Sequence, residues 1–239
     1  MTQARGFTLL EVLIAVAITA MIGAAAAQLL RSVIDTKQST DIRSEKLASL
    51  QRFNMVVSRD IEQFINRTIR DGYGDTQPSL RVNDGDYTME FTRDGWRNSP
   101  VATDPRSELQ RVAYRAESLT SEVCEPALLQ LQSWGEEAPE GECLVRYFWP
   151  VLDRASDSEP LAQVVLEQID GLEIELLVQQ QTSAGSGVVA SSENNWFASW
   201  PGLDSGDNTT RVPVAVRWRV ELPALGEIER LWPLAWGTF

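Results

Sequence analysis

Arg5-Gly6-Phe7-Thr8-Leu9-Leu10-Glu11 runs directly into Val12-Leu13-Ile14-Ala15-Val16-Ala17-Ile18-Thr19-Ala20-Met21-Ile22, and this junction decides the fold. From Val12 to Leu30 no residue is charged, and Gln28 is the only strongly polar one. At about 1.5 Å per residue, a helix of this length crosses the hydrocarbon core of a bilayer. One carboxylate, Glu11, stands at its start. A lone carboxylate in lipid is costly, so an acid there needs a partner or a function. One competing reading is an ordinary signal anchor with a chance acid. Another is a cleaved secretory signal, whose apolar region is usually about 7–15 residues and ends at a small-residue cleavage site. The run here is longer, although Ala24–Ala27 supplies small residues of the kind such a site uses.

Beyond Leu30 the helical signal continues. No proline occurs before Pro78, and Gly23 is the only glycine between Gly6 and Gly72. Leu47, Leu50, Phe53, Val57, Ile61, Phe64, Ile65 and Ile69 recur at steps of three and four, which lays one apolar stripe along a helix. Arg43, Glu45, Lys46, Arg52, Arg59, Asp60, Glu62 and Arg67 are expected on the other faces. The pattern predicts one helix from about Phe7 to about Arg70, near 95 Å if unbroken at about 1.5 Å per residue. Gly23 is its expected weak point, since glycine costs about 1 kcal/mol relative to alanine in a helix. The irregular stripe argues against a coiled coil. Asp71-Gly72-Tyr73-Gly74-Asp75 is the expected stop.

From there the pattern is one of short strands and turns. Tyr87–Arg93, Leu109–Arg115, Leu128–Gln132 and Leu144–Trp149 read as strands. Gln163–Gln168 and Leu172–Val178 read as a hairpin around Asp170-Gly171. Val212–Leu222 alternates most strongly, with Val214, Val216, Trp218 and Val220 on one face, and Gly226–Leu231 is expected to return beside it. Gln179–Asn195 and Gly202–Thr210 read as surface loops. The class is α+β, a long N-terminal helix against antiparallel sheet.

The 239 residues suffice for a membrane helix and one substantial domain. Lys+Arg number 21 and Asp+Glu 34, for a net charge of −13. That balance argues against nucleic acid, whose phosphates need basic partners. Histidine is absent, which excludes His-based triads, His bases and His-ligated metals. The two cysteines, Cys124 and Cys143, are too few for a cysteine-built zinc site. In an exported domain they read as one disulfide, two buried free thiols being the other reading. Charge bias around the apolar run is weak, with Arg5 on one side and Arg31, Asp35 and Lys37 on the other.

Gly6-Phe7-Thr8-Leu9-Leu10-Glu11 ahead of an apolar helix resembles the processing site of type IV pilins and type II secretion pseudopilins. Two head blocks sharpen the resemblance. One is Phe91-Thr92-Arg93-Asp94-Gly95-Trp96-Arg97-Asn98 with Pro105-Arg106-Ser107-Glu108-Leu109-Gln110-Arg111-Val112-Ala113-Tyr114-Arg115. The other is Tyr147-Phe148-Trp149-Pro150-Val151-Leu152-Asp153-Arg154-Ala155 with Ser158-Glu159-Pro160. With the start of the chain and Gly226-Glu227-Ile228-Glu229-Arg230, they resemble the minor pseudopilin J family of the type II secretion system. The Cys124–Cys143 segment departs from that pattern as an insertion in a usually short hairpin.

The resemblance implies a pilin-like fold divided into a leader at 1–6, a transmembrane half of the helix at 7–30, a head half at 31–70 and a β-rich periplasmic head at 71–239. It implies cleavage by prepilin peptidase between Gly6 and Phe7, N-methylation of Phe7, and pairing of Glu11 with the N-terminal ammonium of a neighbouring subunit. The implied place is the bacterial inner membrane, single-pass, with the head in the periplasm. The implied partners are the minor pseudopilins I and K in a tip complex, pseudopilin H as a further candidate, and the major pseudopilin G. The implied role is non-enzymatic: priming pseudopilus assembly and supporting export of folded proteins. No cofactor is expected. A minor pilin of a surface pilus is the alternative in the same class.

Other chemistry reads more weakly. Trp96, Arg97, Arg106, Glu108 and Arg111 invite a ligand reading, but stitching a turn to a strand is the simpler account. Asp153, Arg154, Asp157 and Glu159 suggest an acid pair or cation site, against local pairing of the arginine. Asp204, Asp207 and Asn208 around Gly206 offer calcium ligands without the spacing of a full calcium loop. Trp196, Trp200, Trp218, Trp232 and Trp236 read as core and interface rather than a sugar platform.

Overall fold

A computed structural model of the chain describes residues 7–95, 107–149, 151–152, 154, 158–180, 196–201, 211–223 and 225–236. The chain falls into two compact units, Met1–Ala48 and Ser49–Phe239. In the first, helix α1 (Leu9–Glu62) begins, and it passes Gly23 without interruption. Every side chain from Phe7 to Asp41 is exposed. The mean hydropathy of the most apolar 18-residue window is 2.3, and none of that window is buried. A helix with this much uncovered apolar surface is stable only when lipid or other protein covers it.

The second unit holds the last turns of α1 and two antiparallel sheets. The first sheet has the order β3 (Leu80–Val82), β4 (Met89–Asp94), β5 (Leu109–Ser118), β6 (Glu142–Trp149) and β7 (Leu161–Ile169). The second has the order β11 (Gly226–Pro233), β10 (Arg211–Leu222), β8 (Gly171–Gln180) and β9 (Trp196–Phe197). A two-residue pair, β1 (Ile69–Arg70) and β2 (Thr76–Gln77), lies between α1 and β3 in the chain. Phe53, Val57 and Ile61 of α1 fill the main core with inner-face residues of both sheets, among them Phe91, Tyr114, Leu144, Leu176, Val216 and Trp218. Strand residues alternate between faces. Ala113, Val145, Tyr147 and Trp149 therefore turn to the opposite face of the first sheet, where they form a second, smaller core.

Four sequence expectations are corrected. Helix α1 ends at Glu62, short of Arg70. Residues just beyond it find sheet partners instead: Ile65 N–H donates to Thr92 O at 3.0 Å, and Asp94 N–H donates to Gln63 O at 2.9 Å. Phe64 and Ile69 remain buried, but from extended backbone. Asp71–Asp75 accordingly forms the turn between β1 and β2, with Asp71 Oδ1 accepting from the Tyr73 and Asp75 amides. Leu128–Gln132 is not a strand; it lies within helix α2 (Glu125–Ser133). Pro126 stands in the first turn, and Ala127 and Leu131, four residues apart, pack into the second core. Finally, β7 and β8 are not a hairpin. Asp170-Gly171 carries the chain from the edge of one sheet to the other, where β8 pairs with β10 and β9. Asp170 N–H donates to Glu221 O at 2.8 Å and fixes the crossing.

The other expected strands appear as β4, β5, β6, β10 and β11. A bulge at Pro213–Ala215 leaves Val214 half-buried, while Val216, Trp218 and Val220 share the inner face. Trp200, Trp232 and Trp236 join the main core, and Trp196 lies under Arg217 at 4.0 Å. On the outer face of the second sheet, Arg219 reaches Glu173, Glu175 and Glu229, and Arg217 reaches Glu175.

Cys124 and Cys143 are joined in a disulfide, with their Cα atoms 6.1 Å apart. It ties the 3₁₀ turn Glu122–Cys124 and α2 to β6 across a sequence separation of 19. A loop of this length contributes about 3 kcal/mol in the chain-entropy model. Replacing both cysteines with serine is expected to lower the unfolding free energy of the head by about that amount. Urea unfolding followed by tryptophan fluorescence measures it, and reductant should produce the same loss only in the unsubstituted chain.

Candidate assembly site at the helix start and buried ion clusters in the head

Gly6 lies outside the described residues. Phe7 is 85% exposed, and Thr8 caps α1. Glu11 N–H donates to Thr8 Oγ1 at 3.3 Å, and Thr8 N–H donates back to Glu11 Oε2 at 3.5 Å. This is a capping box. The Thr-x-x-Glu spacing was its sequence signal, and the reading of Glu11 as a subunit contact passed over it. The helix dipole favours an acid in the first turn. Even so, the return bond is long, and among the described residues no cation lies within ion-pair distance of Glu11. Phe7, Val12, Ala15, Val16, Thr19 and Ala20 line one groove along the helix with it. The carboxylate thus stands in apolar surroundings with capacity for a cation supplied from elsewhere.

In the head, Arg93, Arg111 and Arg154 of the two sequence blocks pair with buried acids. Glu90, on the face of β4 opposite the main core, is gripped by Arg111 Nε at 2.9 Å and by Arg154 Nη2. Arg111 is fully buried and also donates to Ser79 O and Thr92 Oγ1. Arg154 lies 4.1 Å from the Trp149 ring centre, and its amide donates to Arg70 O. Arg154 therefore reaches the remote Glu90, while Asp153 and Asp157 of its own loop lie outside the described residues. Burial pushes the Arg111 guanidinium down to about 10 despite Glu90. For Glu90, burial acts to raise the pKa, but the two arginines outweigh it and hold the carboxyl below its ordinary 4.5. An acid so held stays ionised at neutral pH and is a poor proton donor.

A second cluster was missed from sequence. Asp60, assigned to a polar face, is fully buried. It accepts from Tyr114 Oη at 2.7 Å, from Arg146 Nε at 2.5 Å and from Arg93 Nη1. Burial and then Asp60 raise the Tyr114 hydroxyl well above its usual range, so it remains a donor. The signal was available: position 60 lies three residues after Val57 and four before Phe64, inside the apolar arc. An acid there requires partners.

Trp96, Arg97, Arg106, Asp153, Asp157 and the proposed calcium ligands Asp204, Gly206, Asp207 and Asn208 lie outside the described residues. Among the described residues no group of three His, Cys, Asp or Glu side chains could hold a metal. The Glu90 cluster has a pH consequence. A carboxyl whose folded pKa is depressed stabilises above the unfolded value and loses that contribution as pH falls through the folded one. Head stability is expected to decline as pH drops below about 4.5, and Glu90→Gln to flatten that decline. Thermal melts across acid pH measure both.

Comparison with known proteins agrees with this arrangement. The family model described as Type II secretion system (T2SS), protein J matches residues 28–234, and that of the prokaryotic N-terminal methylation motif matches residues 1–27. Type II secretion system protein J of Escherichia coli is 27% identical over 234 residues, covering 96% of this chain and 95% of that protein. Its counterpart in Vibrio cholerae is 26% identical over 239 residues, covering 98% and 88%. A chain in the crystal structure of the GspK-GspI-GspJ complex from enterotoxigenic Escherichia coli matches with a TM-score of 0.52 and 26% identity, over 81% of this chain and 99% of that one. Matched from its methylation motif to the last strand of its head, the chain belongs to the type II secretion system protein J family.

Proposed function

We propose that this minor pseudopilin is a non-enzymatic subunit of a pseudopilus tip, anchored in the inner membrane by α1 with its head in the periplasm. Prepilin peptidase cuts between Gly6 and Phe7 and methylates Phe7. Glu11 then pairs with the N-terminal ammonium of a neighbouring subunit. The observation that carries this reading is the uncovered apolar surface of α1, whose acid Glu11 has no cation within ion-pair distance among the described residues. In surroundings of low dielectric an ion pair is much stronger than in water, so such an acid discriminates sharply between the correct axial register and a slipped one. Membership of the protein J family weighs against the surface-pilus alternative. The structural relative occurs in a complex with GspK and GspI, which supports the minor pseudopilins I and K as partners of this chain. Pseudopilin H and the major pseudopilin G are further partners in this reading.

The deciding experiment is co-purification of the full chain from detergent-solubilised membranes together with pseudopilins I and K. The expected complex contains all three, and intact-mass measurement should show this chain without residues 1–6 and with one added methyl group. A chain that still begins at Met1 in the complex removes the processing claim. A chain recovered alone removes the tip assignment.

Glu11→Leu is expected to abolish protein export and pseudopilus assembly. Because Glu11 and the head belong to different compact units, the melting temperature of the head should not change. Export assays, with melts of the same variant, separate lost assembly from lost folding.

A further inference from the structure

We propose that Asp60 is the pin that fixes the axial and rotational setting of α1 on the head, and that its loss frees the last turns of the helix before the sheets come apart. This rests on the head alone and not on the function proposed above. The fully buried part of the apolar attachment of α1 is the row Phe53, Val57 and Ile61, at four-residue spacing, with Leu50 and Val56 partly buried beside it. Apolar burial is non-directional. By itself such a row tolerates small rotations, and a slide of one turn places one hydrophobe where another stood.

Directional contacts remove that freedom. The Ser49 hydroxyl donates to Glu167 of β7, and Trp232 Nε1 of β11 donates to Ser58 Oγ at 2.9 Å. Asp60 dominates this set because its one carboxylate is held by Arg93, Tyr114 and Arg146, from the adjacent strands β4, β5 and β6. Moving α1 along or around its axis breaks all three bonds together and leaves two buried guanidiniums facing no acid. Loss of one member from such a site is far more costly than loss of a solvent-exposed pair.

Glu90 supplies an internal control. It is likewise a buried acid between two arginines, but its partners lie on β5 and at Arg154, and among the described residues no ion pair joins it to α1. Hydrogen exchange followed by mass spectrometry on the full chain in detergent micelles therefore tests the pin. Asp60→Asn is expected to speed exchange of the amides of residues 53–62 by about tenfold or more, with far smaller changes in β8 and β10. Glu90→Gln should speed exchange in β4 and β5 and leave residues 53–62 as protected as before. Tyr114→Phe, which removes one donor and keeps both ion pairs, should give a smaller increase at the same helix amides. The proposal is overturned if Asp60→Asn and Glu90→Gln loosen the same amides equally. It is also overturned if residues 53–62 stay fully protected in Tyr114→Phe. Should Asp60→Asn fail to fold, Tyr114→Phe alone decides between these outcomes.

Discussion

The row Phe53, Val57 and Ile61 must be buried, and nothing within α1 can bury it. Both sheets turn their inner residues onto that row, and the main core exists because they do. This requirement explains why the second unit begins at Ser49, one turn ahead of Phe53. Up to Asp41 every side chain of the helix is exposed, and from Phe53 onward its apolar row is covered by the chain's own sheets. One secondary-structure element is therefore built for two environments, and the change in burial along it follows the change in sequence pattern.

Buried charge shows what the head is specialised to do. Among the described residues, Asp60 and Glu90 are the buried acids, and each accepts hydrogen bonds from two arginines that come from different strands or loops. Such arrangements specify geometry, because each donor must arrive from a fixed direction. For Glu90, held below its ordinary range by its two arginines, the arrangement also removes the acid from proton-transfer chemistry.

The sequence was most informative where one period dominated. Val216, Trp218 and Val220 alternate with Arg217 and Arg219, and β10 followed from that pattern. The apolar span from Val12 to Leu30 was equally plain, since composition alone determines it. Legibility failed where tertiary partners decided between local options. Residues 63–65 continue a helical stripe, yet backbone pairing with β4 claims them. Leu128–Gln132 has only a short apolar run, and in the fold it lies within α2, directly after Cys124, which is tied to β6. Asp170-Gly171 reads as a tight turn, and whether the chain doubles back or changes sheets depends on β10, which lies far downstream. At the candidate site, Glu11 stands out in the sequence because an acid at the start of an apolar helix is conspicuous, whereas Thr8 as its cap and Asp60 as a core residue were hidden among ordinary helix-surface polarity.

The outer face of the second sheet carries Arg217 and Arg219 ringed by Glu173, Glu175 and Glu229. A bare flat sheet invites stacking against its own kind, and strand-rich proteins need some defence against it. Here any flat surface pressing on that face would have to strip water from five mutually satisfied charges and offer nothing better in return. Copies of the protein crowded side by side on one bilayer are thus kept from clumping through this surface, whatever else brings them together.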